Sequence, residues 1–375
     1  MRLPNLKSIK QNDLFLVFAI SIYIILFSYL SCKRYWAGFA NEWEDIAWVN
    51  NLYWNMLHGN WDYFYKNYID GTLVDFHPSV AILVFPFLYA LLPNIYFVIL
   101  TPTVFIAITA WPLYKIAKLV WKDELSAMII AIAYLFYAPK HSIAFVEDQT
   151  LFIIPILAFS VYVALQEKFM LFFALNFLIA TAKTESVVYS ILLTSYFLLI
   201  HRNTDKYKQL LKQFIFFLLW AVVYLFLELR ANAGNYMQTG ERELNLKNIY
   251  EMVVLLIPLL FFPVRSSLVF LTLPGIALLI TKRFFLPQQA YYLAPAIVFL
   301  FISYIIVLNR FFDVRGKYFR LILNACLGLC ILSNFMPNLI GSYLSVTDQP
   351  YKKITNHKEY LYNHYGFNYE CKCKH

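Results

Sequence analysis

Long apolar runs, broken by short polar stretches, recur from near the first residue to about residue 336. A run of about 20 apolar residues, wound as a helix, crosses the hydrocarbon core of a bilayer. The runs predict spans near 14–31, 95–113, 125–138, 150–165, 169–182, 186–200, 213–229, 249–264, 267–281, 290–309 and 319–336, about eleven in all. The run 79–92 fits two readings: a further span, or a helix lying in the outer leaflet before Pro93. The predicted fold class is all-α, a polytopic transmembrane helical bundle over residues 1–336 with a short tail over 337–375.

One long polar segment, 41–77, interrupts the pattern directly after the first run. Hydrocarbon cannot hold unpaired polar backbone, so a first outer loop over 32–78 is placed at a membrane surface. Within it, Glu44 to His58 has helical spacing. Trp43, Ile46, Ala47, Tyr53 and Leu57 share one side, while Asp45, Trp48, Asn51 and Asn55 fall towards the other. Gly59 is a natural stop. The pattern predicts a juxtamembrane amphipathic helix with Asp45 near its start. Taken alone, Asp45 fits a solvated or helix-start charge as well as a functional one.

Composition agrees with this class: 61% of residues are hydrophobic and only 14% charged, which excludes an ordinary soluble domain. The net charge of +9 is spread over loops rather than gathered on one element, so it does not point to nucleic acid. It does orient the chain. With one net crossing between Ser79 and Trp111, the segments 1–10, 114–122, 166–168, 201–212, 265–266 and 310–320 are cytoplasmic. They hold 16 of the 31 Lys and Arg residues in about 47 positions, the asymmetry expected of cytoplasmic loops. Two crossings there would reverse it. Arg2, Lys7 and Lys10 precede the first run, whose length and exit do not suit a cleaved signal peptide, so the first span is expected to be retained. The polar clusters 41–77, 140–149, 183–185, 230–247 and 282–292 then share the outer side. Cys32, Cys326, Cys330, Cys371 and Cys373 lack zinc-type spacing and imply no disulfide framework.

Candidate chemistry lies in those clusters. Glu147 and Asp148 are adjacent before an apolar run; they suit a divalent cation or a shared proton, and equally a helix start. Lys183-Thr184-Glu185 divides an apolar stretch, either as a functional charge pair or as a tight turn. His77 before Pro78 fits a ligand, a proton carrier or an interfacial residue. Gln288, Gln289, Tyr291 and Tyr292 follow Lys282-Arg283; amides and phenols suit sugar hydroxyls and basic groups suit phosphate, while an interfacial aromatic belt accounts for the tyrosines too. Arg230 sits near Glu228 at a span end.

The order of these pieces resembles the GT-C superfamily, polytopic transferases that use polyprenyl-phosphate-linked sugars. Within that clan the chain looks like a predicted-membrane-protein family of unknown function. The matching pieces are Asp45, Trp54 with Leu57-His58-Gly59, Phe76-His77-Pro78, Phe145 to Asp148, Lys183-Thr184-Glu185, and Gln288 to Pro295. They cover roughly residues 13–308.

The resemblance implies an inverting glycosyltransferase in the cell membrane, multi-pass, acting at the outer face. The donor would be a polyprenyl-phosphate sugar and the acceptor a glycan, lipid or protein. Asp45 is expected as the general base, with Glu147 and Asp148 holding Mn²⁺ or Mg²⁺ or orienting the donor. Lys183, with Arg230 and Arg283, would face the leaving phosphate; His77, Glu185, Gln288, Gln289 and Tyr291 would contact substrate. Two other classes remain open at this point: a transporter or flippase for a lipid-linked or small polar solute, and a non-catalytic scaffold. The transporter reading predicts charged groups near mid-membrane.

Overall fold

A computed structural model describes residues 11–36, 43–61, 83–141, 143, 149–231, 255–281 and 293–335. They form α-helices and short 3-10 turns, with no β-strand among them. The α-helices are α1 (Gln11–Trp36), α2 (Trp43–Leu57), α3 (Phe85–Tyr89), α4 (Ile95–Ile108), α5 (Ala110–Trp121), α6 (Glu124–Phe136) and α7 (Ile153–Leu165). There follow α8 (Phe169–Ala180), α9 (Thr184–Ile200), α10 (Tyr207–Ala231), α11 (Leu273–Thr281), α12 (Ala294–Phe311) and α13 (Lys317–Leu332).

Local chemistry sets the breaks. Asn94 caps α4 by accepting the Tyr96 N–H at 2.9 Å, and Asp123 caps α6 by accepting from Ser126 N at 3.2 Å. Lys122, in the left-handed region at φ 54°, ends α5 and turns the chain straight into α6. Gly59, at φ 77°, stops α2.

Among the described residues, four stretches are long and apolar enough to cross a membrane by length and composition: Asp13–Lys33, Ile95–Trp121, Tyr207–Phe226 and Ala294–Phe311. Burial separates them. The window in α12 is 78% buried and forms the centre of the bundle, whereas those in α1 and α10 are 22% buried and present most of their apolar surface outward. Such exposure suits lipid and not water. Close packing around the centre uses small residues: Ala110 and Ala117 of α5 and Ala127 and Ala131 of α6 are fully buried. Between α8 and α9, Asn176 Nδ2 donates to Ser190 O at 3.0 Å and Thr194 Oγ1 at 2.8 Å, and Ser190 Oγ donates to Asn176 O at 2.9 Å.

The expectation of about eleven full spans meets shorter elements. The helices α6, α7 and α8 have 13, 13 and 12 residues. At about 1.5 Å per residue they reach about 18–20 Å, short of a ~30 Å core. In the region 249–264 the described part begins helical, at Leu255 and Leu256, and the helix gives way after Leu256. Ile257–Leu259 and Phe262–Arg265 are 3-10 turns, joined through Leu260 and Phe261 at positive φ. Pro258 and Pro263 remove the backbone donors a continuous helix needs. The run 267–281 likewise divides into a 3-10 turn, Ser267–Thr272, and α11. Of the run 79–92, the described part holds the five-residue α3, too short to cross and packed on α2.

Paired helix ends define two ends of the bundle. At the first, Lys118 and Glu124 form an ion pair at 2.8 Å, and Trp121 donates Nε1–H to Ile305 O at 2.9 Å and meets Phe319 edge-on at 5.1 Å. Arg265 lies 5.5 Å over the Phe311 ring. Gln213 donates to Phe169 O at 2.8 Å and His201 meets Phe169 at 5.1 Å, so the turns 166–168 and 201–206 also adjoin. At the second end lie the last turn of α1, α2, α3, the first turns of α4 and the turn Gln149–Phe152, joined in one apolar cluster.

Candidate functional site

The second end is built on α2. Its buried residues are Ile46, Val49, Leu52, Tyr53 and Met56, packed on Phe85, Tyr89, Val98 and Ile99. The sequence reading placed Leu57 on this side, but Leu57 is exposed. The buried stripe keeps Ile46 and Tyr53 of the predicted side and adds Val49, Leu52 and Met56 in place of Leu57.

The shift changes the standing of Asp45. Residues 45, 49, 52 and 56 follow the i, i+4, i+7, i+11 spacing of one helical stripe. Asp45 therefore occupies the backbone register of Val49, Leu52 and Met56, the bundle-facing stripe, not the opposite side with Asn51. Of Asp45, only the helical backbone is described.

Aromatic rings carry the contact onward. Tyr53 stacks on Phe85 at 5.9 Å, Phe85 meets Phe152 at 5.6 Å, and Phe105 meets Phe152 at 6.4 Å. Tyr89 Oη donates to Asn50 Oδ1 at 2.9 Å, tying α3 to α2; burial pushes its phenol up. Phe152 ends the turn Gln149–Phe152, which follows Glu147 and Asp148 directly in sequence. The elements flanking both acidic segments thus meet at one end.

Lys183 is half-buried and lies at the start of α9, where its carbonyl accepts from Ser186 N at 3.0 Å. Glu185 lies in the first turn of α9 and Arg230 in the last turn of α10, each described as helical backbone only. Tyr224 Oη donates to Thr181 O at 2.7 Å and Trp220 Nε1 to Ala180 O at 3.1 Å. These bonds lock the C-terminal half of α10 to the turn before Lys183. Glu147, Asp148, His77, Arg283, Gln288, Gln289 and Tyr291 lie outside the described residues. No group of three or more His, Cys, Asp or Glu suited to a metal occurs among the described residues, and the expected ligands Glu147 and Asp148 lie outside them.

The structure adds residues that the sequence reading treated as a surface loop. Lys140 and His141 are 1% and 3% exposed. The Lys140 ammonium lies 4.1 Å over the ring of Tyr23, near the middle of the Asp13–Lys33 stretch. A Pro-Lys-His sequence after an apolar run reads as a loop. The signal available beforehand was Tyr23 itself, a phenol amid an apolar run.

No curated protein and no solved structure matches this chain. A family model described as "Predicted membrane protein (DUF2079)" matches residues 45–242, just over half of the chain. The match takes in Asp45, His77, Glu147, Asp148, Lys183, Glu185 and Arg230, and leaves Arg283, Gln288, Gln289 and Tyr291 beyond its end. The chain is a member of this predicted membrane protein family.

Proposed function

We propose that this protein is an integral membrane glycosyltransferase with a GT-C-like bundle. It moves a sugar, with inversion, from a polyprenyl-phosphate-linked donor to an acceptor at the outer membrane face. Asp45 takes the proton of the acceptor hydroxyl as that oxygen attacks the anomeric carbon. The carbon–oxygen bond to the lipid phosphate breaks, and the phosphate leaves with the electron pair. Glu147 and Asp148 hold a divalent cation or orient the donor. Lys183, with Arg230 and Arg283 as helpers, neutralises the leaving phosphate. His77, Glu185, Gln288, Gln289 and Tyr291 contact the sugar or its phosphate.

One observation supports this reading above the rest. The Tyr53–Phe85–Phe152 chain of rings joins the helix that bears Asp45 to the turn that follows Glu147 and Asp148. Asp45 lies in the bundle-facing register of that helix. A base and a donor-binding pair must work on one substrate, so their supports must adjoin. The test is mass spectrometry of lipid-linked sugars and glycoconjugates in membranes with and without the protein. Accumulation of one lipid-linked sugar and loss of one glycoconjugate in its absence is the supporting result. Unchanged pools would count against it.

A second reading, a transporter or flippase, gains from Lys140. A basic side chain buried against the middle of α1 is the kind of charge such a protein carries within the membrane. Solute flux across vesicles that depends on Glu147 and Asp148, with no donor cleavage, would favour it.

A further inference from the structure

The turn after α6 runs inward. Residues 138–141 pack beside Tyr23 rather than at a surface. Non-helical backbone at membrane depth survives only where protein encloses it and satisfies its polar groups. Here the satisfaction is specific. Lys140 Nζ donates to Leu135 O at 2.7 Å, at the end of α6, and lies 3.3 Å from His141 Nδ1. Tyr23 Oη lies 3.1 Å from the same Nδ1. Nδ1 of His141 is thus the point at which the lysine and the phenol meet, with the donor and acceptor roles set by the imidazole tautomer. Phe27 stacks on the ring at 4.4 Å.

Close by, Asn334, in the 3-10 turn Ser333–Phe335 after α13, donates its Nδ2 to Phe136 O at 2.7 Å and Cys330 O at 2.8 Å. Tyr23, Lys140 and His141 thus join α1 to the turn after α6, and Asn334 ties the turn after α13 to the end of α6. Among the described residues, no carboxylate pairs with Lys140.

We propose that Tyr23, Lys140 and His141 are positioning residues: they clamp the turn 138–141 against the middle of the first helix and fix where the second polar loop leaves the bundle. Downstream, Phe152 fixes where that loop returns. For catalysis the proposal rests on the glycosyltransferase reading, since only there does loop position decide turnover.

The test uses the full chain in lipid nanodiscs, freed of its native cysteines and carrying Ile143→Cys. Ile143 is 1% exposed, so its replacement thiol should react slowly with a small maleimide. Tyr23→Phe removes one hydroxyl, Lys140→Met removes both polar contacts at similar volume, and His141→Ala removes the ring nitrogen. His141→Asn supplies a polar amide near the place of Nδ1. We expect labelling to speed about tenfold or more in Lys140→Met and His141→Ala, less in Tyr23→Phe, and to return towards the parent rate in His141→Asn. Unchanged labelling in all four overturns the clamp, whatever the chemistry of the protein. In the same samples, donor turnover should show a fall in kcat with KM within about twofold. Faster labelling with unaltered kcat overturns the positioning role. If the parent chain turns over no lipid-linked sugar, the glycosyltransferase reading fails and the clamp is judged on labelling alone.

Discussion

Phe152 meets Phe85 edge-on, with ring centroids 5.6 Å apart and planes at 65°. The pair holds the short α3, and through it α2, against the turn that opens α7. Phe85 is 3% exposed, so truncation leaves a cavity. By comparison with core Phe→Ala changes, Phe85→Ala should cost about 3 kcal/mol or more. Thermal unfolding in nanodiscs and protease cleavage within α2 measure it. An unchanged melting temperature with no new cleavage would show that the ring chain does not hold this end.

The polar contact between α8 and α9 should matter less than its burial suggests. Asn176 spends its amide on Ser190 O and Thr194 Oγ1, yet Ser190 Oγ and Thr194 Oγ1 also bond within their own helix. Interhelical hydrogen bonds in membranes average ~0.6 kcal/mol. Asn176→Ala should therefore destabilise by about 1 kcal/mol, read as a modest fall in melting temperature. Collapse of the fold would mean the network is a keystone.

Helix pairing also predicts sidedness. Lys118–Glu124, Trp121–Phe319, Arg265–Phe311 and Gln213–Phe169 gather the basic segments at one end. Single cysteines within 201–206 should resist an impermeant thiol reagent added to intact cells, while Asn60→Cys should react. Labelling of 201–206 from outside would reverse the bundle and separate the proposed site from its expected face.

Some of this was legible in the sequence. The helices α1, α4 with α5, α10 and α12 follow from long apolar runs. The interruptions were less so. Pro258 and Pro263 sit in a run that counts as apolar, yet their missing donors fold it into 3-10 turns. The existence of α2 was readable from its spacing. Its buried face was readable only in part: Ile46 and Tyr53 fall on it as expected, whereas Leu57 does not, and Val49, Leu52 and Met56 are buried by residues about 36 positions on, Phe85 and Tyr89. Burial of Lys140 and His141 depends on Tyr23, 118 residues before His141, and no local pattern encodes it.

Two neighbouring carboxylates repel unless something compensates them. If a cation compensates Glu147 and Asp148, donor turnover should fall with chelator and return with Mn²⁺ or Mg²⁺. If Lys183 does so, turnover should ignore chelator and fail in Lys183→Met. The first outcome is the one we expect, because Lys183 already has Glu185 two positions away at the start of α9. Chelator-insensitive turnover lost in Lys183→Met would assign the role to the lysine.

The most direct test of the central claim is release of polyprenyl phosphate from a pool of lipid-linked sugars by the purified protein in nanodiscs, compared with Asp45→Asn. This variant keeps size and polarity and removes the proton-accepting oxygen. The account predicts release by the parent protein and a loss of about a hundredfold or more in the variant, with the folded fraction unchanged. Release at near-parental rates by Asp45→Asn would remove Asp45 as the base. No release by the parent from any donor, alongside solute flux dependent on Glu147 and Asp148, would contradict the account and leave the transporter reading in its place.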